Sequence, residues 1–200
     1  GLYGRGAVPV ARVATNEVMA IRRALDMGVQ GVLVPLVSTA EEARRAVAAA
    51  KYPPQGIRGF AFCRANNWGD DFAAYSQAAN DEIAVVAMIE TAAGVKNIHE
   101  ILAVEGIDGA CIGPYDMSGS YGIPGQTQHS IVRHACRQVI EACREAGKAA
   151  GLHVVKPTPE AIRAAIADGF TLLCLGADTV FMRQAASAAR EMALTQLEVP

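Results

Sequence analysis

The sequence predicts an α/β fold in which strands and helices alternate, as they do in a (β/α)8 barrel. First, short apolar runs recur, each preceded by a glycine and followed by polar residues that begin a helix. Second, three segments are weak copies of one another: DMGVQGVLVP, VEGIDGACIGP and DGFTLLCLGAD. Third, polar residues follow successive strands one unit apart, as at the rim of a barrel. A doubly wound sheet with the same number of strands remains the alternative.

The first predicted strand covers residues 8–13, and the helix after it ends at Gly28. Residues 31–37, GVLVPLV, form a continuous apolar run, which is typical of a strand buried on both faces of a parallel sheet. Thr39 and Glu42 have the spacing of a capping box, so they predict the start of the second helix.

Residues 51–72 contain prolines, glycines and aromatic residues without a hydrophobic period, so we predict a long ordered loop there. A second loop is predicted at 118–128. The remaining strands are predicted at 83–90, 109–114, 148–154 and 170–177, and the remaining helices at 95–102, 130–146, 158–169 and after 178. We therefore expect one domain over residues 1–200 with six strand–helix units, and we expect the first two units of the barrel to be missing from this chain.

Composition excludes several classes of protein. The 18 Lys and Arg residues against 20 Asp and Glu leave a net charge of −2, which does not suit a nucleic-acid partner. No apolar run approaches the roughly 20 residues of a membrane helix. Five cysteines without CxxC spacing, and no signal segment, favour a cytoplasmic location. Walker, GxGxxG and GxSxG motifs are absent from the sequence, which argues against P-loop NTPases, Rossmann dehydrogenases and serine hydrolases.

Two acidic residues follow neighbouring predicted strands. Glu90 ends the strand VAMIE, and Asp116 comes 26 residues later, after CIGP. Neighbouring parallel strands lie about 4.8 Å apart, so one cation can touch both carboxylates. Hard oxygen ligands with room for water suit Mg²⁺ or Mn²⁺. The alternative is that both residues only cap the helices that follow them.

Each of three basic residues also has two possible roles. Arg12 lies near the end of the first strand and either pairs with a carboxylate or holds an anionic oxygen over the barrel mouth. Arg58, between two glycines, either approaches a ligand or forms an ion pair that ties the loop to the barrel. His153, at the end of GLHV, is either a catalytic group or a hydrogen-bonded wall residue.

Five segments together resemble one protein family: YPPQGIRG, MIET, GIDGACIGPYDMS, YGIPGQ and LGADTVFM. In this order they are similar to the HpcH/HpaI aldolase family of metal-dependent pyruvate aldolases, over nearly the whole chain. The resemblance implies a (β/α)8 TIM barrel of the phosphoenolpyruvate/pyruvate type. It also implies a homo-oligomer, which is a hexamer in the family, with the last helix packed on a neighbouring subunit.

The resemblance assigns roles to individual residues. It implies that Glu90 and Asp116 bind a divalent metal (Mg²⁺, Mn²⁺ or Co²⁺) and that Arg12 is catalytic. The residues that it assigns to substrate binding are Arg12, Gly113, Pro114, Tyr115 and Asp116. Tyr115 departs from the small residue usual before the metal aspartate, and Met88 stands where some members have Gln. The proton-handling Asp and His of the family lie on its second strand, which has no counterpart here.

The reaction implied is reversible aldol cleavage of a 4-hydroxy-2-oxo acid into pyruvate and an aldehyde through a metal-bound enolate. An oxaloacetate decarboxylase similar to macrophomate synthase is the alternative within the superfamily. A non-catalytic barrel remnant that serves as a binding or assembly subunit is the alternative of another class. We expect a small 2-oxo acid such as pyruvate or oxaloacetate, and an aldehyde, as ligands, with no nucleic-acid or membrane partner.

Overall fold

Strands and helices alternate along residues 6–197, which are the residues that the computed structural model describes. The chain divides into two units, of which the first ends at Ala150 and the second begins at Gly151. The α/β class with parallel strands is therefore confirmed. The single domain over residues 1–200 stays a prediction.

Four parallel strands form the core of the first unit. They pair in chain order and are β1 (Val10–Arg12), β2 (Gly31–Val34), β3 (Ala84–Ile89) and β4 (Gly109–Ile112). All residues of β2 and β4 are buried, as expected for strands of a parallel sheet that are covered on both faces. The parallel order brings the carboxyl ends of all four strands to one edge of the sheet.

Seven helices accompany these strands in the described part of the first unit: α1 (Val18–Asp26), α2 (Ala40–Ala50), α3 (Phe72–Glu82), α4 (Ala92–Lys96), α5 (Ile98–Leu102), α6 (Pro114–Ser120) and α7 (Ser130–Glu145). The capping box of α2 is confirmed, because the Thr39 hydroxyl accepts a hydrogen bond from the Glu42 amide at 3.2 Å. Helix α7 buries one apolar stripe, which includes Val132, Val139 and Cys143.

The second unit contains the end of β5 (Ala149–Val154), which begins in the first unit, and β6 (Leu172–Leu175). Residues 151–154 of β5 pair in parallel with β6. Helix α8 (Pro159–Ala167) connects the two strands, and α9 (Asp178–Leu197) follows β6. The predicted cap of α8 is confirmed, because the Thr158 hydroxyl accepts a hydrogen bond from the Ala161 amide. None of the helices within residues 6–197 combines the length and the hydropathy of a membrane span.

Several predicted boundaries are wrong. The predicted strand 31–37 ends at Val34, because Pro35 has no amide hydrogen for the ladder. Likewise, β1 is shorter than residues 8–13, and the strand predicted at 109–114 ends at Ile112, where Pro114 begins α6.

Three helical regions also differ from the prediction. Helix α6 was not predicted, and it includes residues 118–120, the start of the loop predicted at 118–128. The helix predicted at 95–102 is α4 and α5, which meet at the non-helical Asn97. Helix α3 was not predicted, because its sequence has a weak amphipathic pattern and buries only Ala79 fully.

The segment between α2 and α3 is ordered by aromatic packing. The rings of Tyr52 and Phe60 stack with centroids 4.4 Å apart, and Phe60 meets Phe72 edge to face at 5.8 Å. Residues 64–69 form a 3-10 segment, inside which Trp68 has φ +53° and is 68 % exposed. The prediction of an ordered loop thus holds for much of residues 51–72, apart from this short helical turn.

Candidate active site

Glu90 is a buried carboxylate at the carboxyl edge of the sheet. It follows the last residue of β3 directly, and its exposure is only 3 %. Strand β3 pairs with β4 so that Ile89 lies opposite Ile112. The residue that follows β4 is Gly113, whose amide donates to the Ile89 carbonyl at 3.2 Å. The chain after β4 is therefore held directly against Glu90.

Asp116 lies in the first turn of α6, exposed, three residues after Gly113. It is close enough to Glu90 for a hydrogen bond between the two carboxyl groups. Arg12, the last residue of β1, is exposed and acts electrostatically on Glu90 as well. The structure thus brings together Arg12, Glu90 and Asp116, the three residues with the strongest sequence predictions.

The pKa of Glu90 is raised above its ordinary value, and burial is the largest cause. A hydrogen bond from the Leu36 amide opposes this effect and lowers the pKa. The negative charge of Asp116 raises it, the positive charge of Arg12 lowers it, and the hydrogen bond with Asp116 raises it again. A buried carboxylate beside a second carboxylate is a place where positive charge is favoured.

The two carboxylates fit a divalent cation. Glu90 and Asp116 supply hard oxygen donors, which Mg²⁺ and Mn²⁺ prefer, and the exposed Asp116 leaves room for water or substrate oxygens. Gly113 provides space at this point, since a Cβ there would lie 2.9 Å from Oε1 of Glu90. Among residues 6–197, no group of three or more His, Cys, Asp or Glu side chains is arranged to hold a metal. An ion with two protein ligands, completed by water and substrate, is the kind of site that these residues fit.

The other predicted substrate-binding residues lie beside Asp116. Gly113 precedes α6, Pro114 is its first residue, and both are half-buried. Tyr115 is 69 % exposed, and its carbonyl accepts a hydrogen bond from the Ser118 hydroxyl at 2.6 Å. The position of this backbone is therefore fixed, while the phenol faces solvent beside the site.

Arg58 does not join this site. Its guanidinium is buried, with Nη2 2.9 Å from Oδ1 of Asp26 in α1, and it lies over the ring of Tyr52 at 4.6 Å. Nη1 donates to the Tyr75 hydroxyl at 3.1 Å. Of the two readings of Arg58, the ion pair that ties the loop to its neighbours is the one observed.

His153 lies in the second unit, exposed on β5. Its Nε2 is 2.6 Å from the Gly176 carbonyl, within the same unit. Of its two readings, the hydrogen-bonded wall residue is the one that this contact supports.

Sequence reasoning missed Leu36. This residue follows Pro35 after β2, has φ +56°, and donates its amide to Oε2 of Glu90 at 2.9 Å. The signal that could have found the turn is Pro35, since proline interrupts a parallel strand. A backbone amide is the same for every residue type except proline, so no residue pattern marks this donor.

The chain matches known proteins along most of its length. Residues 3–185 match the family described as HpcH/HpaI aldolase/citrate lyase. A 4-hydroxy-2-oxo-heptane-1,7-dioate aldolase of Shigella flexneri is 42 % identical over 182 residues, which are 90 % of this chain and 67 % of that protein.

Solved structures agree. An HpcH/HpaI aldolase/citrate lyase family protein of Burkholderia cenocepacia J2315 has a TM-score of 0.81 and 32 % identity, over 92 % of this chain and 73 % of that one. Macrophomate synthase has a TM-score of 0.75 over 96 % of this chain and 68 % of its own, and its 21 % identity supports likeness of fold alone. The resemblance predicted from the motifs and the aldolase class of enzyme are confirmed. The chain belongs to the HpcH/HpaI aldolase/citrate lyase family.

Proposed function

We propose that this chain catalyses reversible aldol cleavage of a 4-hydroxy-2-oxo acid to pyruvate and an aldehyde. The observation that carries the proposal is the convergence of Arg12, Glu90 and Asp116 at the carboxyl ends of β1, β3 and β4. Membership of an aldolase family supports the reaction class. The (β/α)8 barrel of the family, to which the six strands of this chain would belong, is part of the same proposal.

Glu90 and Asp116 would hold the divalent metal, which is Mg²⁺, Mn²⁺ or Co²⁺ in this proposal. When bound there, such an ion supplies a Lewis acid for the 2-oxo acid. The burial of Glu90 keeps its carboxylate apart from bulk water, and the exposure of Asp116 leaves the site open to a ligand. The two carboxylates therefore differ in role, one anchored within the protein and one facing the substrate.

Arg12 supplies fixed positive charge at the same edge of the sheet. Negative charge develops on the keto oxygen during carbon–carbon bond cleavage, and a guanidinium already placed there stabilises it without reorganisation. Arg12 is exposed, and its charge reaches Glu90, so it lies within range of a ligand held by the two carboxylates. We assign it as the catalytic residue of this chain.

The segment Gly113, Pro114 and Tyr115 is proposed to bind the substrate. Its backbone is fixed between the Ile89 carbonyl on one side and the Ser118 hydroxyl on the other. The exposed Tyr115 phenol would contact the part of the substrate that lies away from the metal. A bulky side chain there narrows the choice of aldehyde relative to a small one.

A homo-oligomer and a cytoplasmic location belong to the same proposal. From Phe181 to residue 196 every residue of α9 is exposed, with Phe181, Met182 and Met192 among them. A helix with this many exposed apolar side chains is expected to pack on another subunit.

A pyruvate-release assay tests the reaction. Purified protein is incubated with 4-hydroxy-2-oxo acids of different aldehyde size, and with oxaloacetate, in the presence of Mg²⁺, Mn²⁺ or Co²⁺. Pyruvate is measured with lactate dehydrogenase and NADH. Pyruvate release from a 4-hydroxy-2-oxo acid, abolished by chelation, supports the proposal. Release from oxaloacetate alone favours the decarboxylase, and no release with any substrate favours the non-catalytic remnant.

A further inference from the structure

The Glu90 side chain is enclosed from two sides. Its Oε2 accepts the Leu36 amide at 2.9 Å. On the opposite side lies Gly113, where a Cβ would come 2.7 Å from Cγ and 2.9 Å from Oε1 of Glu90. Both distances are shorter than any Cβ contact that a protein normally contains. Gly113 has φ −108°, which any residue can adopt, so the Glu90 side chain and not the backbone requires glycine there.

The turn that carries the Leu36 amide is strained and firmly held. Leucine is disfavoured at φ +56°, so this conformation persists only where its surroundings impose it. Three hydrogen bonds do so: from the Val37 amide to the Met88 carbonyl at 3.2 Å, between the hydroxyls of Ser38 and Thr91 at 2.7 Å, and from the Asn97 side chain to the Ser38 carbonyl at 2.8 Å. Strain that is retained in this way next to a buried carboxylate indicates a positioning function.

From these contacts we infer that Leu36, through its amide, and Gly113, through its lack of a side chain, are positioning residues for Glu90. Oε2 is engaged by the protein, and Oε1, on the side of Gly113, is left for the cation. The inference rests on the proposed function, because it takes Glu90 as a metal ligand. Groups that orient metal ligands typically contribute 10- to 100-fold to metal affinity.

Gly113→Ala tests one side of this arrangement. Mn²⁺ binding by the purified full chain is measured from the electron paramagnetic resonance signal of free Mn²⁺. We expect about 10- to 100-fold weaker binding, because the new methyl group displaces Glu90. Gly119→Ala, in the helix α6 that Gly113 precedes, is the matched control, since a Cβ at Gly119 meets nothing within 4 Å. It is expected to bind Mn²⁺ like the wild type, and circular dichroism is expected to show both variants folded.

A backbone ester tests the other side. Replacing the amide of Leu36 by an ester, through incorporation of the corresponding α-hydroxy acid, removes the hydrogen bond to Glu90 and keeps the side chain. We expect about tenfold weaker Mn²⁺ binding. The same replacement at Ser38 is the control, because its amide donates to Oε2 of Glu42 and is not among the three hydrogen bonds that hold the turn. It is expected to lower the melting temperature without weakening Mn²⁺ binding.

The outcomes separate this inference from the proposed function. If Glu90→Ala abolishes Mn²⁺ binding while Gly113→Ala and the ester at Leu36 bind like the wild type, the inference is overturned and the metal site stands. Equal losses for the esters at Leu36 and Ser38 also overturn it, because the effect then follows the stability of the segment and not the contact with Glu90. A wild-type chain that binds no Mn²⁺ overturns both the metal site and the inference.

Discussion

The two ends of the parallel strands in the first unit differ in how charged side chains are arranged. At the carboxyl end, two carboxylates, Glu90 and Asp116, lie against each other, and the nearby Arg12 is exposed. At the amino end, the negative charge of Asp108 acts on two lysines, Lys51 and Lys148. Like charges are brought together at one end, and opposite charges alternate at the other.

The amino-end groups are satisfied by the protein itself. Lys51 is only 6 % exposed, and its Nζ donates to the carbonyls of Asn80 and Ile83, each at 2.6 Å. Lys148 donates in the same way to the carbonyls of Leu102 and Val104.

Asp108 completes the amino end, because its Oδ2 accepts the Val85 amide at 2.7 Å. Here each charged side chain hydrogen-bonds to the backbone of a strand or of the segment before it. At the carboxyl end, by contrast, Arg12 and Asp116 are exposed to solvent. This difference supports the proposed site, because barrel enzymes place stability at the amino ends of their strands and function at the carboxyl ends.

The largest expected effect is at the carboxyl end. Glu90→Ala or Asp116→Ala is expected to lower metal-dependent pyruvate release by about 10³-fold or more, because a lost metal ligand removes several kcal/mol of charge stabilisation. The metal-free Glu90→Ala protein is expected to be no less stable than the wild type, since burial of this carboxylate is unfavourable. Activity assays and urea unfolding measure the two effects. Glu100→Ala, on the exposed side of α5, is the control, and a similar loss there would contradict the assignment.

The next effect is at the amino end and concerns stability. Lys51→Met keeps the apolar stem but leaves two carbonyls without their donor, so we expect the free energy of unfolding to fall by about 2 to 4 kcal/mol. Mn²⁺ affinity is expected to stay unchanged. Lys96→Met, at an exposed position of α4, is the matched control and is expected to be neutral. Weaker Mn²⁺ binding by folded Lys51→Met would show that the two ends are not independent.

Arg12→Lys sharpens the assignment at the carboxyl end. Lysine keeps the positive charge but loses the planar pair of donors, so we expect kcat to fall by about 10- to 100-fold with a smaller change in KM. Steady-state kinetics with the best substrate measure the two constants. An equal loss of Mn²⁺ affinity would instead mark Arg12 as a structural partner of the carboxylates.

The smallest effect is a pH dependence of stability at the amino end. Burial lowers the pKa of Lys51 below 10.5, although the charges of Asp108 and Asp81 raise it. Between that lowered pKa and 10.5, the unfolded chain therefore binds more protons at this position than the folded chain. The contribution of Lys51 to the free energy of unfolding is thus expected to increase as the pH rises through this window. Urea unfolding of the wild type and Lys51→Met over this range measures it, and a difference that shrinks with pH would refute the sign.

Much of the fold was predictable because it depends on local pattern. Neighbouring residues alone determine the buried strands, the capping box at Thr39 and the cap at Thr158. Glu90 and Asp116 were predictable as a pair because parallel strands in chain order place consecutive strand ends side by side.

Other features depend on contacts between distant residues. Arg58 is paired with Asp26, 32 positions earlier, and the sequence around either residue does not indicate this pairing. The Leu36 amide lies 54 positions from Glu90 and belongs to the backbone, which has no residue code. Sequence reasoning therefore predicted the charged groups of the proposed site and missed the backbone amide that contacts Glu90.

The exposed position of Trp68 decides how unfolding of this protein has to be followed. It is the chain's one tryptophan, and its indole lies mostly in solvent on the segment before α3. Its emission in the folded state is therefore expected to resemble that of indole in water already, so unfolding shifts it little. Tryptophan fluorescence reports on the surface of residues 64–69, whereas far-ultraviolet circular dichroism reports on the helices around the strands.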